Sequence, residues 1–270
     1  MPDPAPNPLR ALILDMDGVL WRGEQPIGDL PAVFQEIRRR GLQFTLATNN
    51  ATLSVEQFRE KLSRFGAEVE EAQILNSAGA TAYTLQRRHP EGGPVYMIGE
   101  SGLRQALESA GFSVLDGTTS GSPEKPLAVV VGLDRALTYE KLMQAALLIR
   151  SGTPFIATNP DRTLPVPQGL IPGTGSILAA LQAATDQEPL VIGKPMPVIY
   201  QVALERMGVG TEETLVVGDR LETDIAGAQQ IGCRTALVLS GVATRAQAGS
   251  WSPPPDFLAA DLAELLLALA

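Results

Sequence analysis

Short apolar runs alternate with helix-like segments along most of the chain, and this alternation limits the fold more than any other feature. Many of the apolar runs are continuous, as is typical of strands that helices cover on both faces. Strands separated by helices indicate parallel βαβ units. We therefore expect an α/β fold built on a doubly wound parallel sheet. Predicted strands cover residues 11–14, 43–48, 94–99, 127–133, 153–158, 189–193, 214–219 and 234–239.

Helix signals fill the intervals between these strands. Ser77 and Thr138 are expected to cap two of the helices. A proline-rich stretch, 159–172, is expected to be a long loop. Predicted helices cover residues 30–40, 54–65, 77–88, 101–110, 138–149, 175–184, 197–207, 223–231 and the C-terminal tail.

The first strand leads into two acids, Asp15 and Asp17, within LILDMDGVLW at 12–21. On a strand, a spacing of two residues points both side chains to the same face. A carboxylate is costly to remove from water unless it has a partner. The pair therefore needs a nearby group that compensates its charge.

Polar residues also follow three other predicted strands. Ligands of doubly wound sheets bind beyond the carboxyl ends of the strands, so these residues are expected to share one edge. They are Thr48, Asn49 and Asn50 at the end of the second strand, Lys194 after 189–193, and Asp219, Arg220, Glu222, Thr223 and Asp224 after TLVVG at 214–218.

The oxygen donors of this set predict a metal. Asp15, Asp17 and Asp219 are hard ligands, and such sites favour Mg²⁺. A cation would also explain why acids cluster at the edge of an apolar sheet. An aspartate there can act as a nucleophile and form an aspartyl-phosphate, and a second acid can protonate the leaving oxygen and later activate water.

The remaining groups suit a phosphoryl ligand. The Thr48 hydroxyl, the Asn49 amide and the Lys194 ammonium can hold phosphate oxygens, and Asn50 and Arg220 are grouped with them as phosphate-binding residues. Magnesium and Lys194 would supply the charge neutralisation that phosphoryl transfer needs.

Each piece of this set also has an ordinary structural explanation. Asp219 and Asp224 can be helix-capping or first-turn acids, Lys194 a solvated lysine, and TNN a plain turn. The joint position of all of them at strand ends makes these explanations weak. GKP at 193–195 is no P-loop, because Glu188 stands where the upstream glycine belongs and Pro195 replaces Ser/Thr.

Composition excludes several classes of function. The net charge of −9 and pI of about 4.8 disfavour binding to nucleic acid or an anionic membrane. The single cysteine, Cys233, excludes a disulfide framework, and the single histidine, His89, is expected at the surface. No apolar run reaches the length of a membrane span, and no signal peptide is evident. A cytoplasmic location is expected.

Together these motifs resemble the haloacid dehalogenase superfamily. DMDGVLW resembles its first motif, TNN its second, GKP its third and GDRLETD its fourth. Order and spacing are similar to the subgroup that includes NagD and the 4-nitrophenyl, pyridoxal and phosphoglycolate phosphatases. In that subgroup an α/β cap lies between the second and third motifs, and here that interval runs from Asn50 to Lys194.

The resemblance implies a role for each matching residue. Asp15 would be the nucleophile and a metal ligand. Asp17 would be the general acid and base and would bind the metal through its carbonyl. Asp219 would be the third protein ligand, and Asp224 would support the metal shell. Thr48, Asn49 and Lys194 would hold the phosphoryl group.

The resemblance also implies the domain organisation. The core would cover 1–79 and 184–270, and the inserted cap 80–183. Within the cap, the loop Asn159–Pro172 would face the active site, and Asn159, Asp161 and Arg162 are its candidate specificity residues. The subgroup often pairs through its caps, so the resemblance makes a homodimer through the cap one option, but the sequence does not determine the oligomeric state.

We therefore expect a Mg²⁺-dependent phosphatase of small phosphorylated metabolites. Candidate substrates are sugar phosphates, phosphoglycolate, pyridoxal phosphate and nucleotide monophosphates. One alternative is a phosphotransferase that uses an alcohol acceptor. Another is a regulatory protein that binds phosphometabolites without turnover, although the presence of both Asp15 and Asp17 disfavours it.

Overall fold

The computed structural model describes residues 8–116, 125–166 and 168–269. The chain forms two compact units. The first contains the chain up to Thr48, Glu56–Leu75 and the chain from Lys194 onward, and the second contains Asn49–Val55 and Asn76–Gly193. These limits differ from the expected boundaries at 79/80 and 183/184.

Strands and helices alternate as the sequence predicts. The strands are β1 Ala11–Leu14, β2 Trp21–Arg22, β3 Gln25–Pro26, β4 Gln43–Thr48, β5 Ile74–Asn76, β6 Gly93–Ile98, β7 Phe112–Leu115, β8 Val129–Val131, β9 Phe155–Ala157, β10 Thr163–Val166, β11 Gly169–Pro172, β12 Leu190–Val191, β13 Thr214–Gly218, β14 Arg234–Val238 and β15 Phe257–Ala259. The α-helices are α1 Leu30–Arg39, α2 Val55–Arg64, α3 Ser77–Arg88, α4 Ser101–Ser109, α5 Tyr139–Arg150, α6 Thr174–Thr185, α7 Pro197–Met207, α8 Ala226–Gln230, α9 Arg245–Ser250 and α10 Leu262–Ala268.

The first unit is built on a six-stranded sheet in the order β15-β14-β13-β1-β4-β5. The pairings from β15 to β4 are all parallel. From β1 the chain first adds strands on one side and later, from β13 onward, on the other. This order is that of a doubly wound sheet, and its direction reverses between β1 and β13. The predicted fold class is confirmed.

The two strands at the reversal are deeply buried. All residues of β1 are at most 1% exposed, and Ala11 to Leu14 pair in register with Thr214 to Val217. A strand covered on both faces needs a continuous apolar run, which explains why ALIL and TLVV lack polar alternation. The backbone that carries the strand ends is therefore rigid.

The second unit has its own parallel sheet, in the order β12-β9-β8-β6-β7. Its core packs strand residues such as Ile98 and Val131 against Ile149 of α5 and Leu181 of α6. A separate antiparallel hairpin joins β10 to β11. The segment 159–172, expected to be a loop, thus contains this hairpin, whose strands the prolines obscured in the sequence.

One strand lies in a different sheet from the one expected. The apolar run 189–193 was assigned to the core, but β12 pairs with β9 in the second unit. This pairing extends the second unit to Gly193. Likewise α3 packs against α4, so the longer segment of the second unit begins at Asn76. Lys194 therefore follows a strand of the second sheet. It is the first residue of the last segment of the first unit.

Several local details also differ from the expectations. The side chain of Asn76, and not that of Ser77, caps α3 by accepting from the backbone of Gly79. The short strands β2, β3, β5, β7 and β15 were not predicted, because runs of two to four residues give little periodic signal. Among the described helices, none is both long enough and apolar enough to cross a membrane.

The cap of α1 gives a test of the fold. The Asp29 carboxylate accepts a hydrogen bond of 3.1 Å from the Ala32 backbone, and α1 buries Leu30, Phe34 and Ile37. Asp29→Ala should lower the free energy of unfolding of the first unit by about 1 kcal/mol, measured by urea denaturation. Asp29→Asn keeps an acceptor oxygen and should lose only a fraction of that. Equal losses in both variants would contradict the capping role.

Candidate active site

Two neighbouring strand ends bring the principal acids together. Asp15 directly follows β1 and Asp219 directly follows β13, at the point where the strand order reverses. The backbone N–H of Asp15 donates to the Val217 carbonyl at 2.9 Å, which continues the pairing of the two strands. Thr48, the buried last residue of β4, ends the strand on the other side of β1. The sheet therefore gathers these side chains at one edge.

Three carboxylates form a compact acidic cluster there. Asp15, Asp219 and Asp224 each place one oxygen within 4.8 Å of the others. Asp219 and Asp224 are each only 1% exposed. Asp17 is not part of this group of carboxylates. Of the four expected metal-binding residues, the structure thus clusters the side chains of three.

Lys194 supplies the positive charge within this cluster. Its ammonium contacts Asp15 directly, donates to Asp224 Oδ1 at 2.7 Å and donates to the Ala47 carbonyl at 3.0 Å. Lys194 is itself 4% exposed. Burial lowers the pKa of Lys194, but the carboxylates of Asp15 and Asp224 outweigh that effect and raise the pKa above its usual value. Lys194 is therefore a fixed cation.

One ammonium does not neutralise three carboxylates. Burial raises the pKa of Asp15 well above its usual value; Lys194 opposes this rise, and Asp224 and Asp219 add to it. Burial, together with Asp224, raises the pKa of Asp219 to about 6. Both shifts have the same physical cause, an excess of negative charge in a water-poor site.

A divalent cation fits this arrangement. Asp219 Oδ1 is buried and has no hydrogen-bond partner among the residues that the structure describes. A buried oxygen without a partner is costly, so it indicates a position where a ligand binds. The donors are carboxylate oxygens, which Mg²⁺ prefers. The residues present are thus suited to the expected cofactor.

The other oxygen of Asp219 is held by a loop that the sequence reading overlooked. Asp219 Oδ2 accepts from the Val242 backbone at 2.7 Å, and Ser240 Oγ donates to the Gly18 carbonyl at 2.7 Å. A Cβ atom on either Gly18 or Gly241 would collide with the Asp219 carboxylate. This loop follows β14, so the SG pair after the predicted strand 234–239 was the available signal.

Asp224 is placed by an unusual turn. Leu221–Ile225 is a π-helical turn, in which the Ile225 N–H donates to the Arg220 carbonyl at 3.2 Å. Asp224 Oδ2 accepts from the Arg220 backbone at 3.1 Å, which leaves Oδ1 for Lys194. The sequence predicted an ordinary helix over 223–231. Such turns are rare and occur mostly at functional sites, and ordinary periodicity does not predict them.

A buried tyrosine, also missed, lies beneath this turn. The Tyr200 hydroxyl donates to the Thr223 carbonyl at 2.9 Å and lies 3.2 Å from the Asp224 carbonyl. Burial raises the pKa of Tyr200 well above its usual value, so the hydroxyl keeps its proton. Because α7 begins three residues after Lys194, Tyr200 links the helix behind Lys194 to the turn that carries Asp224.

Asp17 has a different environment from that of Asp15. The strand β1 ends at Leu14, so the strand alternation that predicted a shared face does not extend to either acid. Asp17 is exposed, and its Oδ1 accepts a hydrogen bond of 2.8 Å from the indole N–H of Trp21. The two acids thus differ in solvent access and in their partners.

The expected phosphate-binding residues fall into two groups. Thr48, Lys194 and Arg220 belong to the first unit, and the Arg220 side chain is exposed. Asn49 and Asn50 belong to the second unit. Asn50 Oδ1 accepts from the Thr52 backbone at 3.0 Å and from its hydroxyl at 2.7 Å. Phosphate binding by both asparagines stays a prediction.

Asn49 instead joins two of the expected specificity residues. Its amide donates to Asp161 Oδ2 at 3.2 Å, and the Asn159 amide donates to the Asn49 carbonyl at 2.9 Å. Asn159 Oδ1 in turn accepts from the Asp161 backbone at 3.1 Å. Arg162 is exposed and its side chain takes no part in this network. The structure therefore connects the start of segment 159–172 to the residue that follows Thr48.

Comparison with known proteins places the chain in a family. One family model, described as haloacid dehalogenase-like hydrolase, matches residues 12–113, and a second, of HAD-like hydrolases, matches residues 191–265. An acid sugar phosphatase of Staphylococcus aureus (strain USA300) is 36% identical over 260 residues, covering 96% of this chain and 98% of that protein.

Solved structures agree with this assignment. A p-nitrophenyl phosphatase from Archaeoglobus fulgidus superposes with a TM-score of 0.89 at 34% identity, covering 97% of this chain and 99% of that one. NagD from E. coli K-12 superposes with a TM-score of 0.86 at 32% identity, covering 95% and 98%. The chain belongs to the haloacid dehalogenase-like hydrolases and, within them, to the phosphatases similar to NagD and the 4-nitrophenylphosphatases.

Proposed function

We propose that this phosphatase hydrolyses small phosphate monoesters through an aspartyl-phosphate on Asp15, with Mg²⁺ as its cofactor. The observation that carries the proposal is the cluster of Asp15, Asp219 and Asp224, with the buried Lys194 ammonium in contact with Asp15 and Asp224. Sugar phosphates are the first substrates to test, because one relative is an acid sugar phosphatase. Phosphoglycolate, pyridoxal phosphate and nucleotide monophosphates remain candidates.

Asp15, Asp219 and Asp224 are the side chains that would hold Mg²⁺, with the Asp17 carbonyl as a further expected ligand. When bound, the ion would offset the negative charge of the phosphoryl oxygens. The positive charge of Lys194 would offset the same negative charge of the phosphoryl oxygens. Its contacts with Asp15 and Asp224 keep it protonated, so its positive charge is already in place when a phosphate dianion binds.

In the first step a carboxylate oxygen of Asp15 attacks phosphorus. A new P–O bond forms to Asp15 as the bond from phosphorus to the leaving oxygen breaks. Asp17 transfers its proton to that oxygen, so the product leaves as a neutral alcohol. The enzyme then holds an acyl phosphate on Asp15 and a carboxylate on Asp17.

In the second step Asp17 acts as the base. It takes a proton from a water molecule while the water oxygen attacks phosphorus, and the bond from phosphorus to Asp15 breaks. Inorganic phosphate leaves, Asp15 is a carboxylate again and Asp17 carries the proton for the next cycle. A phosphotransferase would use an alcohol in place of this water, and product analysis in the presence of added alcohols distinguishes the two.

Activity should require Mg²⁺. Dialysis against EDTA should abolish hydrolysis of 4-nitrophenyl phosphate, and excess MgCl₂ should restore it. Mg²⁺ should also raise the melting temperature, because a ligand that binds only the folded state stabilises it. This rise should be largely lost in Asp219→Asn and kept in Asp256→Asn, whose carboxylate instead accepts from Thr235 at 2.7 Å. Full activity in chelator would overturn the metal assignment.

Substitutions of the two acids of the first motif should affect turnover differently. Asp15→Asn should abolish turnover of every substrate, because no nucleophile remains. Asp17→Asn should lower kcat/KM by about 10²–10⁴, the usual contribution of general acid catalysis. Borohydride added during turnover should reduce an acyl phosphate at Asp15, located by peptide mass spectrometry. Inversion at phosphorus, with no aspartate labelled, would instead indicate direct attack by water.

Substrate choice should depend on the segment that begins at Asn159. Arg162→Ala should change kcat/KM unequally among phosphorylated metabolites, by about 1–3 kcal/mol where a polar contact is lost. Hydrolysis of 4-nitrophenyl phosphate should change much less. Asp161→Ala should additionally affect every substrate, because Asp161 accepts from Asn49, the neighbour of Thr48.

Arg150→Ala is the matched control for this segment. Arg150 is an exposed arginine of the second unit whose guanidinium donates to the Ala184 carbonyl at 3.0 Å. It should leave the order of substrates unchanged. A uniform loss across all substrates in Arg162→Ala would show that this residue does not determine specificity.

A further inference from the structure

Asp17 has one donor that can orient it. The carboxylate is exposed, and the indole N–H of Trp21 is the only hydrogen-bond donor to its side chain among the residues that the structure describes. An exposed aspartate without such a bond samples several rotamers. Any fixed orientation of Asp17 before substrate binds therefore depends on Trp21.

Trp21 is itself held firmly. It is 1% exposed and is among the largest fully buried side chains of the described chain. The Lys61 ammonium lies 4.7 Å from the centre of the indole ring, and the ring of Phe65 lies 6.0 Å away at an angle of 50°. Lys61 also donates to the Gly23 carbonyl at 2.7 Å, in the turn between β2 and β3. The indole is thus a rigid donor.

The backbone reinforces this geometry. The Gly18 N–H donates to the Trp21 carbonyl at 2.7 Å, and Asp17 and Trp21 form an isolated bridge. Gly18 has a φ of 87°, which favours glycine and allows the chain to turn directly after Asp17. Main-chain and side-chain contacts therefore join the same two residues.

We propose that Trp21 is a positioning residue for proton transfer by Asp17. The indole N–H donates to Oδ1, so in the acid form Oδ1 is the carbonyl-type oxygen and Oδ2 carries the proton. Oδ2 therefore carries the proton that Asp17 gives to the leaving group, and Oδ2 later accepts a proton from water. The inference rests on the proposed role of Asp17 as general acid and base.

The proposal predicts a dependence on the leaving group. A leaving oxygen that is strongly basic needs its proton as the P–O bond breaks, whereas 4-nitrophenolate is stable enough to leave with little help. Phenyl phosphate and 4-nitrophenyl phosphate have similar shapes but differ in this respect. If the proton on Asp17 is misplaced, hydrolysis of phenyl phosphate should therefore slow more than hydrolysis of 4-nitrophenyl phosphate.

The experiment measures kcat/KM for both substrates in Trp21→Phe at saturating Mg²⁺. The ratio of the phenyl to the 4-nitrophenyl value should fall by about tenfold from that of the wild type, a part of what general acid catalysis contributes. This ratio does not depend on the fraction of folded enzyme, so a loss of stability does not alter it. Trp251→Phe is the matched control, since its indole donates to Gln229 at 3.2 Å and should leave the ratio unchanged.

A single-group replacement tests the N–H itself. The chain contains two tryptophans, so in Trp251→Phe the only one left is Trp21. Replacing that residue with 3-benzothienylalanine exchanges the N–H for sulfur and keeps the size of the ring. The ratio should fall as in Trp21→Phe. An unchanged ratio in both Trp21 variants would overturn the proposal.

Asp17→Asn separates this proposal from the function on which it rests. If Asp17 is the acid, the ratio falls in Asp17→Asn at least as far as in the Trp21 variants. If it falls there but not in the Trp21 variants, the positioning role is wrong and the mechanism stands. If it is unchanged in Asp17→Asn, the assignment of Asp17 as the general acid is wrong.

Discussion

The buried ammonium of Lys194 is the interaction on which the candidate site depends. It contacts carboxylates from two different segments, Asp15 after β1 and Asp224 in the π-helical turn, and also the Ala47 carbonyl in β4. Without this cation, one partly buried and two buried acids would repel one another across a few ångströms. Removing one member of a buried ion pair typically costs about 3–5 kcal/mol, because the remaining charge has no compensation. Lys194 therefore holds the strand ends together, and in the proposed mechanism it would also neutralise charge on the phosphoryl group.

Lys194 is the first residue of the first unit after the second unit ends at Gly193. The strand that precedes Lys194 along the chain, β12, pairs in the second sheet. The Lys194 ammonium contacts Asp15, which follows β1, and Asp224, in the turn after β13. The close packing around it is equally specific. A Cβ on Gly218 would collide with Asp224, and a Cβ on Gly227 would lie 2.6 Å from the Pro195 carbonyl and 2.6 Å from the Tyr200 ring. Small residues thus let the segments on either side of the charge pair approach closely.

The sequence predicted the doubly wound sheet because its signals are local. Continuous apolar runs such as ALIL and TLVV indicate buried parallel strands, and acids directly after them mark the strand ends. The features that the sequence could not predict depend on which segments pair with one another in the folded chain. The assignment of β12 failed because an apolar run does not reveal which sheet it joins. The hairpin within 159–172 was hidden by its prolines, and the π-helical turn differs from an ordinary helix by one residue in its hydrogen bonds.

Among the site residues, too, those marked by local sequence signals could be predicted, and those that depend on contacts in the folded chain could not. Asp15, Asp219 and Lys194 could be found because strand ends converge in any doubly wound sheet. Tyr200 and the loop at Ser240–Val242 could not, because each acts through a contact with a residue distant in sequence. Trp21 could not, because its hydrogen bond to Asp17 depends on the local turn at Gly18. Asn49 shows the limit of motif reading, since its amide donates to Asp161 in the second unit. A motif identifies which residue types are present but does not determine which partner each one binds.

The separation of Asp15 from Asp17 explains how two identical side chains two residues apart can serve different roles. Asp15 is bound to the Lys194 ammonium and lies beside two buried acids, at the site proposed for a metal and a phosphoryl group. Asp17 lies outside that cluster, is open to solvent and has a neutral donor as its hydrogen-bond partner. A nucleophile must remain ionised next to positive charge, whereas an acid–base group must gain and lose a proton and exchange it with water. Environment, and not residue type, assigns such roles. The end of β1 at Leu14 and the turn at Gly18 create this difference.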